Sequence, residues 1–313
     1  MFTGFINATL KNITKNVDDL RKLKIGLDNF PKWFVDEVNI SENFNLNSFM
    51  TTFHDHPSLH LVFKSEKHLD HFKEPHTKSS KKSAFVDTNK KVKDINNFKK
   101  GEWWVQDFSS MLPLAICNNI KKLNILDLCA APGGKSFQIL QTNKVVLNDV
   151  NRKRIQRLKE NLSRLGFNPE VTNLNALDLN ENKLFDMVII DAPCSSVGTI
   201  RKNPEILFRS KEPNLKLLNN IQHSLLKKSS KLLKKKGKII YMVCSFLNSE
   251  TVELVRKFLD ENKNFKIEKY TPNEEFFEIN NFITSEGYFL TTPTKYKGYY
   301  IDGFFSVQLI KND

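Results

Sequence analysis

No apolar run in the 313-residue sequence approaches the ~18 residues of a membrane-crossing helix, so no membrane span is expected. The first residues, Met1-Phe2-Thr3-Gly4-Phe5, lack the basic and apolar regions of a secretory signal. The four cysteines, Cys117, Cys129, Cys194 and Cys244, stand far apart with no Cys-x-x-Cys pair. That argues against a zinc site and a disulfide framework, and favours a reducing, cytoplasmic setting. Histidines between His54 and His76 show no His-Glu-x-x-His or similar spacing. They read as surface residues, and no metal is expected. Neither Gly-x-Gly-x-x-Gly nor a complete phosphate-binding P-loop occurs, which excludes those dinucleotide and triphosphate fingerprints.

Hydrophobic content is 40% and charged content 27%, ordinary values for a soluble protein with room for two folded units. The formal net charge is +13. A basic surface attracts polyanions, nucleic acid above all. Lys and Asn are frequent throughout, however, so charge alone divides evenly between a nucleic-acid partner and compositional bias.

The apolar spacing of Phe5, Ile6, Leu10, Ile13, Val17 and Leu20 predicts a helix over 5–25. A second helix starts near Pro31 and carries Trp33, Phe34, Val35 and Val38. Leu59–Phe63 reads as a strand, and 64–100 as a polar, lysine-rich stretch of solvated loops or a phosphate-following surface. A change of composition at Gly101-Glu102-Trp103-Trp104 places a domain boundary near residue 100. Two units follow: a small helical and α/β region over 1–100, with RNA binding expected of it, and a larger domain over 101–313. In the larger one, strands near 124–129, 144–149, 170–174, 185–191 and 238–243 alternate with helices. One of these, 152–165, carries Arg152, Lys153, Arg154, Arg157, Lys159 and Arg164 on what reads mostly as a solvated face. The alternation predicts a doubly wound, Rossmann-like α/β fold with helices on both faces of a largely parallel sheet.

The first strand of that domain runs into Asp127-Leu-Cys-Ala-Ala-Pro-Gly-Gly-Lys135 and then a helix to about Gln141. Gly133 and Gly134 allow close backbone approach, and a helix N-terminus offers unpaired N–H groups. Such a turn serves a structural role or a ligand equally well. Asp149 ends the second strand, where a carboxylate suits both hydroxyls of a ribose. Together they outline a pocket for an adenosine-bearing cofactor, and the missing phosphate cradle points to S-adenosylmethionine. Two further strands end at Asp191-Ala-Pro-Cys194 and Cys244-Ser245. Two cysteines at neighbouring strand ends suggest covalent chemistry: a thiolate adds to an electron-poor ring carbon and activates its neighbour. C5 of cytosine is a poor nucleophile that needs such help.

These stretches resemble the RsmB/Sun-type RNA (cytosine-5) methyltransferases. Trp104–Asp107, Asp127–Lys135, Asp149, Asp191–Thr199 with Arg201 and Pro204, Tyr241–Ser245 and Asp302–Phe305 occur in the family's order. Asn7–Lys11 and Phe30–Phe34 look like segments of the bacterial 16S rRNA members. Those begin with a helical domain resembling the antitermination factor NusB, of which the last helix is expected here. The resemblance implies a cofactor site of Cys129, Ala130, Ala131, Pro132, Gly133, Gly134, Lys135, Asp149 and Asp191. Asn175 stands where the family carries an adenine-contacting Asp, with Asp178 as the alternative. Leu59–Phe63 has neither the Arg nor the Asn of the family's N-terminal strand, and Glu250-Thr251 replaces its usual Glu-Asn. By the same resemblance Cys244 attacks cytosine C6, Cys194 serves product release, and Asp191 contacts the base. The implied function is cytosine-5 methylation of rRNA by a monomer. A catalytically weak ribosome-assembly factor and an enzyme acting on tRNA are the alternatives.

Overall fold

The computed structural model describes residues 2–23, 26–39, 46–52, 55–208 and 212–312. The N-terminal part carries helices α1 (Phe2–Lys15), α2 (Val17–Lys22), α3 (Lys32–Asn39) and α4 (Leu46–Thr52). The helix expected over 5–25 is therefore two helices; Lys24 and Ile25 lie outside the described residues, as does His54. None of the residues of α1 or α2 is buried.

A four-stranded antiparallel sheet follows, in the order β2-β3-β1-β4. Its strands are β1 (Leu59–Phe63), β2 (His76–Ser80), β3 (Ser83–Val86) and β4 (Trp103–Val105), with the short helix α5 (Glu66–Asp70) after β1. Two of these strands occupy the stretch read as solvated loops. β3 is buried at every position and β2 is largely polar, so neither alternates as a half-buried strand does. Strand β4 lies beyond residue 100, so the first sheet takes its edge from the start of the second sequence region. His60 is not a surface residue. It is buried between the rings of Phe85 and Phe108, with Nδ1 2.7 Å from Gln106 O and Nε2 2.8 Å from Ser79 Oγ. Burial drives its pKa down to about 4, so it stays neutral.

After α6 (Phe108–Ala115) comes the main sheet. Its strands are β5 (Asn124–Asp127), β6 (Lys144–Asn148), β7 (Glu170–Thr172), β8 (Phe185–Asp191), β9 (Leu233–Val243), β10 (Phe265–Glu268), β11 (Phe289–Thr291) and β14 (Phe304–Lys311). A separate hairpin comprises β12 (Thr294–Tyr296) and β13 (Tyr299–Ile301). The main path is β10-β14-β9-β8-β5-β6-β7, with β11 also paired to β14. Strands β5 to β9 are mutually parallel, whereas β14 runs antiparallel to β9, β10 and β11. The order reverses at β5, flanked by β6 on one side and β8 on the other. This is the switch point where such sheets bind ligands, at the carboxyl ends.

The intervening helices are α7 (Gly134–Phe137), α8 (Arg152–Leu165), α9 (Leu215–Lys231) and α10 (Val252–Glu261). Helix α8 ends as its sequence predicts, at Gly166 with φ 68°. Helix α7 is shorter than expected: beyond Phe137 the chain runs on in turns that mix i→i−3 bonds with one i→i−4 bond, Leu140 N–H to Ser136 O, through Thr142. Successive residues of β8 serve opposite faces. Met187 and Ile189 join one core with α6 and α8, while Val188 and Ile190 join another with α9 and α10. Val62, Phe85 and Trp104 of the small sheet belong to the first of these cores, so the two regions pack as one body. Among the described residues, no helix is long and apolar enough to cross a membrane.

Candidate active site

Strand β5 delivers Asp127 into the core at the start of the glycine turn. Its Oδ2 accepts from Ser136 Oγ at 2.5 Å, and Oδ1 from the Cys129 N–H at 3.3 Å. Burial pushes its pKa up to about 7, against the Ser136 hydrogen bond. Asp127 thereby ties the two ends of the turn together. Gly133 has a structural reason: φ is 114°, and a Cβ there would stand 2.1 Å from the Phe137 ring and 2.8 Å from Leu158. Gly134 is different, since a Cβ would meet only Gln106 at 3.7 Å.

A cavity of about 480 Å³ opens where the β5, β6 and β7 ends meet α9. Cys129, Asp149 and Asn175 line it, joined by Arg154, Asn220 and Ser224. Ala130, Ala131, Pro132, Gly133 and Gly134 are not among its walls. They shape the turn behind it: Ala130 N–H donates to Asn148 O at 2.8 Å and Ala131 N–H to Asp149 Oδ2 at 3.2 Å. Asp149 Oδ1 accepts from Asn151 N–H at 2.9 Å. Arg154 is exposed, as the solvated-face reading expects, yet it also reaches the cavity. It lies 3.6 Å from Asp149 Oδ2 and also donates to Ala131 O. Asn175 caps a short turn by accepting from Leu177 N–H at 3.2 Å, which leaves its amide NH2 uncommitted by the cap. Asp178 is exposed and does not line the cavity. Asn220, Ile221 and Ser224 were not singled out from sequence, because a helix far along the chain brings them in.

On the other side of the β8 end, Asp191 pairs with Met242 in the parallel register, so Cys194 and Cys244 leave adjacent strand ends. Their sulfurs lie 3.4 Å apart, and Ser196 Oγ is 3.5 Å from Cys244 Sγ and 3.9 Å from Cys194 Sγ. All four cysteines are free thiols. The pair is electrically unequal. Cys244 is lowered from the ordinary thiol value, chiefly by its hydrogen-bonding contact with Cys194. Cys194 is raised well above it by the same interaction and by burial. Cys129 is raised by burial, as befits a wall residue. Lys135 Nζ forms a 2.6 Å ion pair with Asp191 Oδ2 and lies 5.1 Å from the centre of the Phe304 ring. Asp191 raises its pKa against the effect of burial.

Three loops meet at this point without room for side chains. Gly198 N–H donates to Cys244 O at 3.1 Å, and Gly303 N–H to Gly198 O at 2.9 Å. A Cβ on Gly198 would stand 1.9 Å from Gly303 O. Nearby, Lys202 Nζ bridges Asp107 Oδ2 at 3.1 Å and Asp302 Oδ2 at 2.6 Å. Asp107 also caps α6, accepting from Ser109 N–H at 2.9 Å. Lys202 and Ser109 hold its pKa down to about 2, whereas burial and the Asp107 charge push Asp302 up to about 7. Arg201 is buried beside them and donates to Thr294 O at 3.2 Å. Among the described residues, no group of three or more His, Cys, Asp or Glu is arranged to hold a metal ion.

The family profile described as 16S rRNA methyltransferase RsmB/F matches residues 114–310, a span that includes Cys129, Asp149, Asp191, Cys194 and Cys244. The chain belongs to this family. Ribosomal RNA small subunit methyltransferase B of Photorhabdus laumondii is 36% identical over 179 residues, covering 55% of this chain and 42% of the relative. The enzyme of the same name from Shewanella oneidensis is 26% identical over 325 residues, covering 98% of this chain and 73% of the relative. The chain thus matches less than half of the first relative's length and about three quarters of the second's. Two solved structures share the fold. A methyltransferase homologue from Pyrococcus horikoshii has a TM-score of 0.70 at 20% identity, covering 90% of this chain and 96% of that one. NSun6 from Pyrococcus horikoshii with SFG has a TM-score of 0.75 at 16% identity, covering 92% and 100%.

Proposed function

We propose that the protein transfers a methyl group from S-adenosylmethionine to C5 of a cytosine in RNA, with small-subunit rRNA as the substrate. The observation that carries this is the thiol pair: two free cysteines 3.4 Å apart at neighbouring strand ends, beside the Lys135–Asp191 pair. The RsmB/F family match and the names of its relatives support the rRNA reading.

The cavity beside the glycine turn fits the cofactor. It offers the Asp149 carboxylate at the end of β6, the Asn175 amide at the end of β7, and a mixed apolar and polar wall from α9. Asp149 would hold the ribose and Asn175 the adenine edge. When bound, the cofactor supplies an electrophilic methyl group.

Cys244, with the lower proton affinity of the pair, attacks C6 as a thiolate, forming the C6–S bond and pushing electrons toward N3. The Lys135–Asp191 pair holds the base edge and supplies the proton that N3 takes up and later returns. C5 is then nucleophilic and accepts the methyl group. Once Cys244 is bonded to carbon its charge is gone, so the repulsion that kept Cys194 protonated falls. Cys194 loses its proton to solvent and takes the C5 proton as the C6–S bond breaks, with the bonding pair returning to Cys244. The target base must leave its stack to reach these groups. The region before the main sheet would carry RNA contacts outside the pocket.

The test is methyl transfer from labelled S-adenosylmethionine to small-subunit rRNA, followed by nucleoside analysis. Label in 5-methylcytidine is expected. Label in a ribose or in another base refutes the reading.

A further inference from the structure

Glu250 is a buried acid beside the thiols that this scheme leaves unused. It sits fully buried in the short turn Asn248–Glu250 after Cys244. Both carboxylate oxygens accept. Oε1 takes the Ser195 backbone N–H at 2.8 Å and the Gln222 Nε2 at 3.1 Å, and Oε2 takes the Ser195 hydroxyl at 2.5 Å. Gln222 Nε2 also donates to Pro193 O at 2.9 Å, and the Tyr241 hydroxyl donates to the Glu250 main-chain carbonyl at 2.9 Å. Glu250 therefore grips the chain on both sides of Cys194, directly at Ser195 and through Gln222 at Pro193. None of these donors is a cation. A carboxylate held by neutral donors in a low-dielectric interior acts strongly on its neighbours.

We propose that Glu250 is a positioning residue that makes the two thiols unequal: it fixes the Cys194–Ser195 backbone and keeps Cys194 in its S–H form, as donor to the Cys244 sulfur. This rests on the two-thiol reading above. The surroundings of the two sulfurs differ in the required sense. Cys194 is raised by Cys244 first, then by burial, with Glu250 contributing. Cys244 is lowered by Cys194 first, against burial and the Asp191 charge, with Ser196 and Lys135 lowering it further and no contribution from Glu250 among these causes. Glu250 also raises Glu37 of α3 and Tyr241 of β9. In the reaction the same S–H serves twice. It stabilises the attacking thiolate, and after Cys194 has taken the C5 proton it stabilises the departing one.

Glu250→Gln separates charge from shape. The amide oxygen still accepts from Ser195 N–H and Gln222, and the amide NH2 donates to the Ser195 hydroxyl oxygen. The experiment is iodoacetamide alkylation of the full chain across pH without RNA, with the Cys194 and Cys244 peptides quantified by mass spectrometry. In the unsubstituted protein Cys244 reacts first. Glu250→Gln should shrink that preference, with the Cys194 peptide reacting at lower pH than in the unsubstituted protein. Glu250→Asp keeps the charge and should retain the preference. An unchanged preference in Glu250→Gln, or equal losses in both variants, overturns the proposal. So does failure of Glu250→Gln to melt cooperatively and bind S-adenosylmethionine, since the charge would then serve the fold. The underlying reading fails separately, if the unsubstituted protein makes no 5-methylcytidine.

Discussion

At the scale of single residues, the two thiols should fail in different ways. Cys244→Ala removes the proposed nucleophile, so both methylation and covalent attachment to RNA should disappear. Cys194→Ala leaves the proposed attacking sulfur but removes the group proposed to take the C5 proton, so a protein–RNA adduct should accumulate and survive a denaturing gel. The reverse pattern would exchange the two roles. The glycines separate in a similar way. Gly198→Ala drives a Cβ to 1.9 Å from Gly303 O, backbone that cannot step aside. It should cost about 1–3 kcal/mol, the range for overpacking, as a lowered urea midpoint. Gly134→Ala places its Cβ in ordinary contact with Gln106 and should be tolerated. Asp127 gives a pH signature. Its folded-state pKa is raised to about 7 from the ordinary 3.8, so the folded state holds the proton more tightly. Its contribution is complete below the lower value and is lost as pH rises through the upper one. Stability of the unsubstituted protein should therefore fall over that interval more than stability of Asp127→Asn does. Urea midpoints at a series of pH values measure this, and a steeper fall in the variant would refute it. The thiols, Asp149 and Asp191 could be found in sequence because each ends a recognisable strand. The roles of Arg154 and Asn220 could not, because packing and not spacing brings them to the site, and Glu250 was visible only as a family position and not by what it holds.

At the scale of elements, the N-terminal helices do more than precede the catalytic sheet. Phe34 of α3 and Phe49 of α4 are buried against Phe246, with ring centres 6.4 and 6.3 Å away, two residues beyond Cys244. Val197 and Ile200, from the loop after Cys194, share that cluster. Glu37 Oε2 accepts from Ser249 Oγ at 2.9 Å across the same contact. The loops carrying both cysteines are thus packed from outside the main sheet. Phe34→Ala should cost about 3–5 kcal/mol. Methylation should fall while affinity for S-adenosylmethionine, whose proposed cavity lies on the other side of β8, stays within a few-fold. Calorimetric cofactor binding measured beside initial rates checks this, and a parallel loss of both would show general unfolding. Strands β5, β6 and β8 were readable because each is a short apolar run between turn signals. Strands β2 and β3 and the β12–β13 hairpin were not. β3 is apolar on both faces, β2 is a polar edge, and the hairpin has only three residues in each strand. Their pairing partners, not their own patterns, make them strands.

At the scale of the whole molecule, the charge of +13 acquires a use once RNA is the proposed substrate. Many of the lysines are already engaged: Lys202 with Asp107 and Asp302, Lys135 with Asp191, Lys228 with Glu181, Lys234 with Asp186. These hold the fold and contribute little to a phosphate backbone. Lys81 and Lys82 differ, standing exposed on the turn between β2 and β3 beside the main sheet. If the small sheet carries RNA contacts, these side chains meet phosphates, and each contact releases bound counterions. Affinity for an rRNA fragment should then fall steeply with salt, and replacing both lysines by alanine should weaken binding similarly across sequences. Each lost contact should flatten the slope of log affinity against log salt by about one for duplex-like RNA, somewhat less for single strands. Fluorescence anisotropy of a labelled fragment at several salt concentrations gives the slope directly. An unchanged slope in the double variant would remove this turn from the RNA path and leave the contacts to lysines elsewhere. A slope near zero in the unsubstituted protein would show that the excess charge is compositional and that recognition is carried by the base pocket alone.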